Sequence, residues 1–305
     1  MKNVNKMSSW FAEVLQICRK IFPQQSPFSR QMTILPALTQ RIVCLTEETT
    51  ETLYLLGAED TIVGISGFTV RPKEARKTKP KISTYLDANI AQILALKPDV
   101  VLAWSDLQAN ICADLIREGV EVICFNHRTI AGILGMMIRV GGLVGKTPEA
   151  EQLTERILTR LQEIECIGAA RQIKPRVYFE EWYDPLISGI AWVSELIELC
   201  GGIDVFAEHR QFHDAKRRII ADPAEVIRRT PDIILASWCG KMFKPERLKA
   251  REGWAEIPAV RHNCLFELHS SVILQPGPAA LTDGAEQIFT LFNKWKPKTN
   301  NPKPI

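Results

Sequence analysis

Two stretches of the chain share one pattern of apolar and polar positions. Residues 89–104 read NIAQILALKPDVVLAW and residues 222–238 read DPAEVIRRTPDIILASW. Each copy opens with a polar residue suited to cap a helix, continues with apolar residues at helical spacing, and breaks at a Pro-Asp pair. An uninterrupted apolar run follows, as is typical of a strand covered on both faces in a parallel sheet. The pattern therefore predicts a helix, a tight turn and a buried strand, twice over.

A second pair of stretches repeats in the same order along the chain. Residues 51–62 read ETLYLLGAEDTI and residues 195–206 read ELIELCGGIDVF. Both predict an amphipathic helix that ends at a glycine, Gly57 in one copy and Gly201 in the other, in the left-handed C-terminal cap. Because both pairs keep their order, we predict an α/β protein with two similar lobes, each built on a parallel sheet.

A charged segment without a counterpart in the repeat separates the two sets of copies. Residues 147–173 begin with Thr-Pro-Glu, which suits a helix start, and carry one apolar stripe. The stripe consists of Leu153, Ile157, Leu161 and Ile164. A helix of roughly 24 residues would run about 36 Å, enough to join two lobes. The alternative is an ordinary surface helix of one lobe.

These signals divide the chain into five parts. We expect an N-terminal α/β lobe over residues 41–146, the joining helix over 147–173 and a C-terminal α/β lobe over 174–295. Residues 1–40 and 296–305 are expected to be poorly ordered extensions. The length of 305 residues and the 46% hydrophobic content agree with two lobes, because a single core rarely grows beyond about 250 residues.

Composition excludes several classes of function. The net charge of +3 comes from interspersed acids and bases, which gives no basis for nucleic-acid binding. The eight cysteines are scattered without a CxxC pair, as expected of small buried hydrophobes in a reduced protein. No run approaches the ~20 apolar residues of a membrane span, and the N-terminus lacks the pattern of a signal peptide. A cytoplasmic address is expected, with a periplasmic one as the alternative if the start is misannotated.

The order of motifs resembles a known family. RIVCLTEETTETLYLLGAEDTIVGIS, then KISTYLDANIAQILALKPDVVLAW, then the charged helix, then RVYFEEWYDPLISG and ELIELCGGIDVF are similar to the iron-siderophore and cobalamin class of substrate-binding proteins, and most of all to its cobalamin-binding branch. The resemblance covers about residues 41–295. It implies two Rossmann-like lobes joined by one rigid helix, with a small-molecule ligand in the cleft between them and no catalytic cofactor.

Candidate ligand contacts come from the strand ends and from the resemblance. Ligands of doubly wound sheets gather outside the carboxyl ends of strands, which selects Trp104 and Ser105 in one copy and Trp238 and Cys239 in the other. The resemblance adds Tyr85, Trp182, Tyr183, Ile187 and Ser188. A loop histidine, His269, could also face the cleft. Aromatic walls of this kind suit a large flat ligand, such as cobalamin or a related corrinoid.

Catalytic and metal readings of the sequence are weaker. Glu180, Glu181 and Asp184 follow a predicted strand and could serve as paired carboxylates in a cytosolic enzyme that uses the cleft. His209 and His213 share helical spacing but have no third metal ligand nearby. We therefore expect a binding protein, with no catalytic residue and no resident metal.

Two positions depart from the family pattern. Exported receptors of this class present one glutamate on each lobe to the membrane permease, and the matching positions here are Ala91 and Ala224. Without those charges the electrostatic part of docking is lost. The leading expectation is therefore a soluble protein that binds a cobalamin-like or other metallated ligand, a tetrapyrrole or an iron chelate, for storage, trafficking or sensing and does not dock on a transporter. The alternative is the substrate-binding component of an ABC importer for cobalamin or an iron-siderophore.

Overall fold

Two sheets organise the chain, one formed before residue 126 and one after residue 175. The structure, a computed structural model, describes residues 39–84 and 87–297. The first sheet is entirely parallel, with the strand order β3-β2-β1-β4-β5. Its strands are β1 (Ile42–Cys44), β2 (Ile62–Ser66), β3 (Lys81–Ser83), β4 (Val100–Trp104) and β5 (Val122–Phe125).

The second sheet repeats the centre of the first and adds a hairpin. Strands β10, β9 and β6 are parallel neighbours, β8 lies parallel to the start of β6, and β7 lies antiparallel to its end. The strands are β6 (Arg176–Tyr183), β7 (Leu186–Ser188), β8 (Ile203–Asp204), β9 (Ile233–Ala236) and β10 (Leu265–Glu267). The repeated strands β4 and β9 therefore occupy the same place in their sheets, which confirms the prediction of two similar α/β lobes.

Helices connect the strands and cover both sheets. The helices of the first sheet are α1 (Glu47–Leu55), α2 (Lys73–Thr78), α3 (Ile90–Ala95), α4 (Ala109–Arg117) and α5 (Ile130–Leu143). The long helix α6 (Thr147–Ala169) follows. The remaining helices are α7 (Ala191–Leu199), α8 (Ala224–Arg228), α9 (Pro245–Lys249), α10 (Pro258–Arg261), α11 (Ser270–Ile273) and α12 (Ala285–Lys294). A π-helical turn, Ala280–Gly284, leads into α12.

The repeated pattern folds alike in both copies. The Asn89 side chain accepts a hydrogen bond from the backbone N–H of Gln92 at 3.0 Å, and that of Asp222 accepts one from Ala224 at 3.0 Å. Lys97 and Thr230 follow the two helices with positive φ angles of 47° and 44°. A proline follows each of these residues and disfavours the helical conformation there, so each helix ends before it.

Helix α6 packs against helices of both lobes. It contacts α5 on one side and α7 and α12 on the other, and all four residues of the predicted stripe are buried. The helix ends at Ala169 rather than at residue 173. At that end Gly168 meets Gly201, and a Cβ on Gly201 would lie 2.6 Å from the Gly168 Cα. Only glycine permits this approach, since Gly201 also has a φ of +83°.

One apolar core runs through the junction of the lobes. It includes Trp104 and Phe125 of the first sheet, Phe179 of the second, and the buried faces of α5, α6 and α7. Such a continuous core resists hinge motion, because opening it would expose apolar surface at about 25 cal/mol per Å². The exact lobe limits of the sequence analysis stay predictions, and most of residues 1–40 and 296–305 lies outside the described residues.

Candidate functional site

Trp104, at the carboxyl end of β4, lies where the two lobes meet. Its side chain is only 5% exposed, and its indole N–H donates to the carbonyl oxygen of His127 at 3.2 Å. The Arg128 guanidinium stacks 4.2 Å from the Trp104 ring centroid. Trp192, from α7 of the second lobe, lies edge-on with its centroid 6.1 Å away. Trp104 is therefore buried where the lobes meet, and its contact with a ligand stays a prediction.

Two polar contacts join the lobes beside Trp104. His127 Nε2 lies 2.8 Å from the carbonyl oxygen of Pro276, and Arg128 donates to the carbonyl oxygen of His213 at 3.3 Å. Burial lowers the pKa of His127 to about 4, so its imidazole is neutral at pH 7. Ser105 follows Trp104 with a φ of 69° and accepts a hydrogen bond from the N–H of Leu107. A positive φ at a serine is uncommon and marks a constrained turn.

A network of ion pairs between Glu51, Arg71 and Asp283 is a third contact between the lobes. Arg71 pairs with the Glu51 carboxylate at 2.8 Å and with the Asp283 carboxylate at 2.9 Å. The second Glu51 oxygen accepts a hydrogen bond from the N–H of Ala279 at 3.2 Å. Glu51 belongs to α1 of the first lobe, and Asp283 lies just before α12 of the second lobe. This ion-pair network therefore also joins the two lobes.

Buried acids occupy the first turn of α1. Glu48 is 1% exposed, and one of its carboxylate oxygens accepts a hydrogen bond from Thr46 while the other, Oε2, has no partner. Glu47 accepts a hydrogen bond from the N–H of Val70 at 3.3 Å. Burial raises the pKa of Glu47 to about 8 and that of Glu48 to about 7. Sequence analysis missed both residues, although acids directly after a strand end were a usable signal.

The second lobe contributes a wall of aromatic rings and cations. The rings of Trp182 and Tyr183 lie 4.9 Å apart between centroids, and those of Tyr183 and Trp238 lie 4.7 Å apart. The Lys241 ammonium is 5.1 Å from the centroids of both Trp182 and Tyr183, and it donates to the Tyr183 hydroxyl at 2.8 Å. The Arg247 guanidinium lies 4.7 Å from the Tyr183 ring. We call these five residues the aromatic-cationic wall.

A cavity of about 350 Å³ borders this wall. Its lining residues are Trp238, Gly240, Lys241, Met242, Glu267, Leu268, His269 and Ser270. The Met242 side chain is 75% exposed, and His269 is exposed at the rim. Cavities of this size lie within the usual range for small-molecule sites.

Charges of the two lobes act on one another across the cleft. Desolvation raises the pKa of the Cys239 thiol, and the carboxylates of Glu181 and Glu47 raise it further. Glu47 belongs to the first lobe and Cys239 to the second, so the acid turn of α1 faces the loop after β9. Contact of Cys239 with a ligand stays a prediction.

Ile187 and Ser188 lie on the edge strand β7 beside an ion pair. The Ser188 hydroxyl lies 2.8 Å from His209 Nδ1 and is buried, and Ile187 is half-buried. The buried Arg218 guanidinium binds the Glu181 carboxylate at 2.6 Å and 3.0 Å and also donates to the carbonyl oxygen of Ser188. These contacts hold the hairpin in place. Contact of Ile187 and Ser188 with a ligand stays a prediction.

The carboxylates proposed for an enzyme already have partners. Arg251 binds both oxygens of Glu180 at 2.5 Å and 3.0 Å, and the Trp238 indole N–H also donates to Glu180 at 3.0 Å. Glu181 is neutralised by Arg218. Asp184 is exposed and offers its carbonyl oxygen to Trp182. Ion-paired carboxylates are poor general bases, so this geometry does not favour the enzyme alternative.

The structure brings some predicted contacts together and leaves others apart. Trp182, Tyr183 and Trp238 form one wall, with Cys239 in the loop after it. Tyr85 lies outside the described residues. Among the residues described, no group of three or more His, Cys, Asp or Glu side chains is placed to hold a metal ion. Sequence analysis did not select Lys241 or Arg247. Their place in the wall depends on contact with the rings of Trp182 and Tyr183, which are remote in the chain.

The two positions that match the docking glutamates differ in exposure. Ala91 is exposed on α3 and Ala224 is half-buried at the start of α8. The neighbouring Glu225 is ion-paired with Arg228 at 2.6 Å and with Arg229 at 2.8 Å. Glu225 is therefore engaged in ion pairs within its own helix turn.

Comparisons with known proteins identify relatives over most of the chain. A family profile described as periplasmic binding protein matches residues 42–272. An uncharacterized ABC transporter substrate-binding lipoprotein of Bacillus subtilis is 25% identical, covering 85% of this chain and 82% of its own. A vitamin B12-binding protein of Vibrio parahaemolyticus is 25% identical over 83% of this chain and 90% of its own.

Solved structures show the same fold. The periplasmic vitamin B12 binding protein of Vibrio cholerae superposes with a TM-score of 0.67 at 23% identity, covering 85% of this chain and 98% of that one. A possible iron-binding periplasmic protein of Staphylococcus epidermidis superposes with a TM-score of 0.71 at 21% identity, covering 85% of this chain and all of that one.

The relatives also bear on location and docking. Within residues 39–84 and 87–297, no helix is both long and apolar enough to cross a membrane. The relatives are named as periplasmic proteins or as a lipoprotein of an ABC transporter, which favours the periplasmic alternative and does not support the cytoplasmic address or the doubt about docking. The named relatives are binding proteins rather than enzymes, and the match over residues 42–272 shows that this chain belongs to the periplasmic binding protein family.

Proposed function

We propose that this protein binds a flat, metal-bearing ligand of the cobalamin, haem or iron-chelate kind in the cleft between its lobes, as the substrate-binding component of an importer. The vitamin B12-binding relatives support the ligand class, and the ABC transporter lipoprotein supports the role in import. Cobalamin or a related corrinoid is our leading ligand, as expected from the order of sequence motifs. The ligand is cargo in this proposal and takes part in no reaction.

The observation that carries this proposal is the aromatic-cationic wall. The half-buried rings of Trp182 and Tyr183 offer an apolar surface backed by the buried ring of Trp238, and aromatic faces attract flat conjugated ligands. Lys241 and Arg247 lie over the same rings, where they can meet carboxylate or phosphate groups at the ligand edge. The cavity beside the wall gives the ligand a place next to His269 and Met242.

A titration tests the proposal. Purified protein is titrated with cobalamin, cobinamide and haem, and tryptophan fluorescence and the visible band of the ligand are recorded. We expect quenching and a band shift with at least one ligand, with a Kd near 1 micromolar, equivalent to about −8 kcal/mol. Absence of both signals with all three ligands at about 100 micromolar would contradict a cobalamin-like or haem-like ligand.

Variants of single tryptophans locate the bound ligand. Trp182→Ala removes an outer ring of the wall that is only half-buried, so we expect at least tenfold weaker binding, or about 1.4 kcal/mol, with the fold intact. Trp295→Ala is the matched control, since Trp295 is also half-buried but lies beyond α12. Equal affinity of the two variants would remove the wall from the binding site.

A further inference from the structure

Two cysteines of the first lobe lie on the face of the sheet that α4 covers, one buried and one exposed. Cys112 is buried on α4 and packs with Ala103 and Leu115 in one apolar cluster. Phe125 of β5 packs on the opposite side of the sheet, against α5. Since successive side chains of a strand alternate between its faces, Cys124 points to the side that α4 covers, toward Cys112.

Cys112 is the neighbour with the largest effect on the pKa of the Cys124 thiol, so the two side chains interact. Strand pairing aligns Cys124 with Ala103 of β4, and the Cys124 sulfur lies 3.5 Å from the carbonyl oxygen of Ser105. The pair is therefore held at the carboxyl end of the sheet, next to the constrained turn after Trp104. The expectation that the cysteines are simply buried hydrophobes is wrong for Cys124, which is exposed on the edge strand.

The surroundings give the two sulfurs different reactivity. The hydrogen bond from Cys112, followed by the positive charge of Arg128, lowers the pKa of Cys124 to about 7. The pKa of Cys112 is raised, because it donates to its neighbour and is desolvated. A thiolate is the nucleophile in disulfide chemistry. The exposed Cys124 is thus placed to react with an external disulfide, and the buried Cys112 is placed to react with Cys124.

We propose that Cys112 and Cys124 form a redox-active dithiol, a modification site that a small-molecule disulfide oxidises to an intramolecular disulfide. In the first step the Cys124 thiolate attacks one sulfur of the oxidant, forms a mixed disulfide and releases one thiolate. In the second step the Cys112 thiol loses its proton and attacks the Cys124 sulfur, which expels the second thiol of the oxidant. The protein loses two electrons and two protons, and the oxidant is reduced to two thiols.

Treatment of the reduced full-length protein with oxidised glutathione tests this proposal. We expect a disulfide between Cys112 and Cys124 that carries no glutathione. Trypsin cleaves after Arg117, between the two cysteines, so peptides ending at Arg117 and Arg128 should become linked. The reaction should accelerate about tenfold per pH unit below pH 7, since the thiolate fraction of Cys124 limits it.

Single variants separate the two roles. Cys112→Ser should stop at a stable glutathione adduct on Cys124, and Cys124→Ser should leave Cys112 unmodified. Cys166→Ser, at an exposed cysteine on α6, is the matched control and should not change the linked peptides. The proposal is overturned if the wild-type protein keeps the glutathione adduct at Cys124, if both thiols stay free, or if Cys112 reacts without Cys124.

Discussion

The substitution Glu47→Gln should stabilise the protein at neutral and alkaline pH. Glu47 lies in the first turn of α1, is 6% exposed, and has a pKa raised from 4.5 to about 8 by burial and then by the nearby acids Glu48 and Glu51. Glutamine keeps the acceptor oxygen that binds the N–H of Val70. It removes only the capacity to ionise, so the folded contacts change little.

The magnitude follows from proton linkage. Between pH 4.5 and pH 8 the unfolded state has an ionised Glu47 and the folded state a protonated one, so unfolding releases a proton. A raised carboxyl pKa therefore contributes stability that is complete at low pH and is lost as the pH rises through about 8. The loss is about 1.4 kcal/mol per pH unit, or roughly 3 kcal/mol between pH 5 and pH 7.

Urea unfolding of the wild type and the variant, from pH 5 to pH 8, measures this difference directly. Cys124 titrates in the same interval, but it is common to both proteins and cancels in the difference. The advantage of Glu47→Gln should grow by about 1.4 kcal/mol per pH unit. Glu155→Gln, at an exposed position of α6, is the control. A difference between wild type and Glu47→Gln that does not vary with pH would refute the assignment of a buried, protonated Glu47.

Two further substitutions test the packing of the second lobe. Gly201→Ala should cost more than about 2 kcal/mol in urea unfolding, because its Cβ would meet Gly168 at 2.6 Å; Gly119→Ala, with a similar φ of +80° but open space around it, should cost about 1 kcal/mol, and equal losses would show that the contact with Gly168 is not tight. Arg251→Met should cost about 3 to 5 kcal/mol, because it leaves the fully buried Glu180 without its cation. Adding Glu180→Gln should restore a large part of that loss in thermal unfolding, and failure to do so would mean that Arg251 acts through packing alone.

Local signals in the sequence predicted the fold well. The capping residues Asn89 and Asp222, the Pro-Asp turns and the apolar runs of β4 and β9 act within a few residues, so propensity and spacing determine them. The helix ends at Gly57 and Gly201 are also local signals, since a positive φ is a property of one residue.

The site was only partly predictable, because it depends on contacts between the lobes. Aromatic residues at strand ends were selected, and the rings of Trp182, Tyr183 and Trp238 do lie in contact. Glu48 is buried because Gly277 of the other lobe approaches it closely. A Cβ atom at Gly277 would lie 2.4 Å from the Glu48 Cβ. No pattern within one segment contains that information. The same holds for His127, whose partner Pro276 is remote in the chain.

Hydrogen exchange on the free and ligand-loaded protein tests the central claim, a ligand held between the two lobes. With a saturating concentration of the ligand that binds in the titration, amide protection should increase in peptides of both lobes. In the first lobe the expected segments are residues 104–107 and 127–130, and in the second they are residues 181–184 and 238–243. Protection confined to one lobe, or found only outside these segments, would contradict a ligand site in the interlobe cleft.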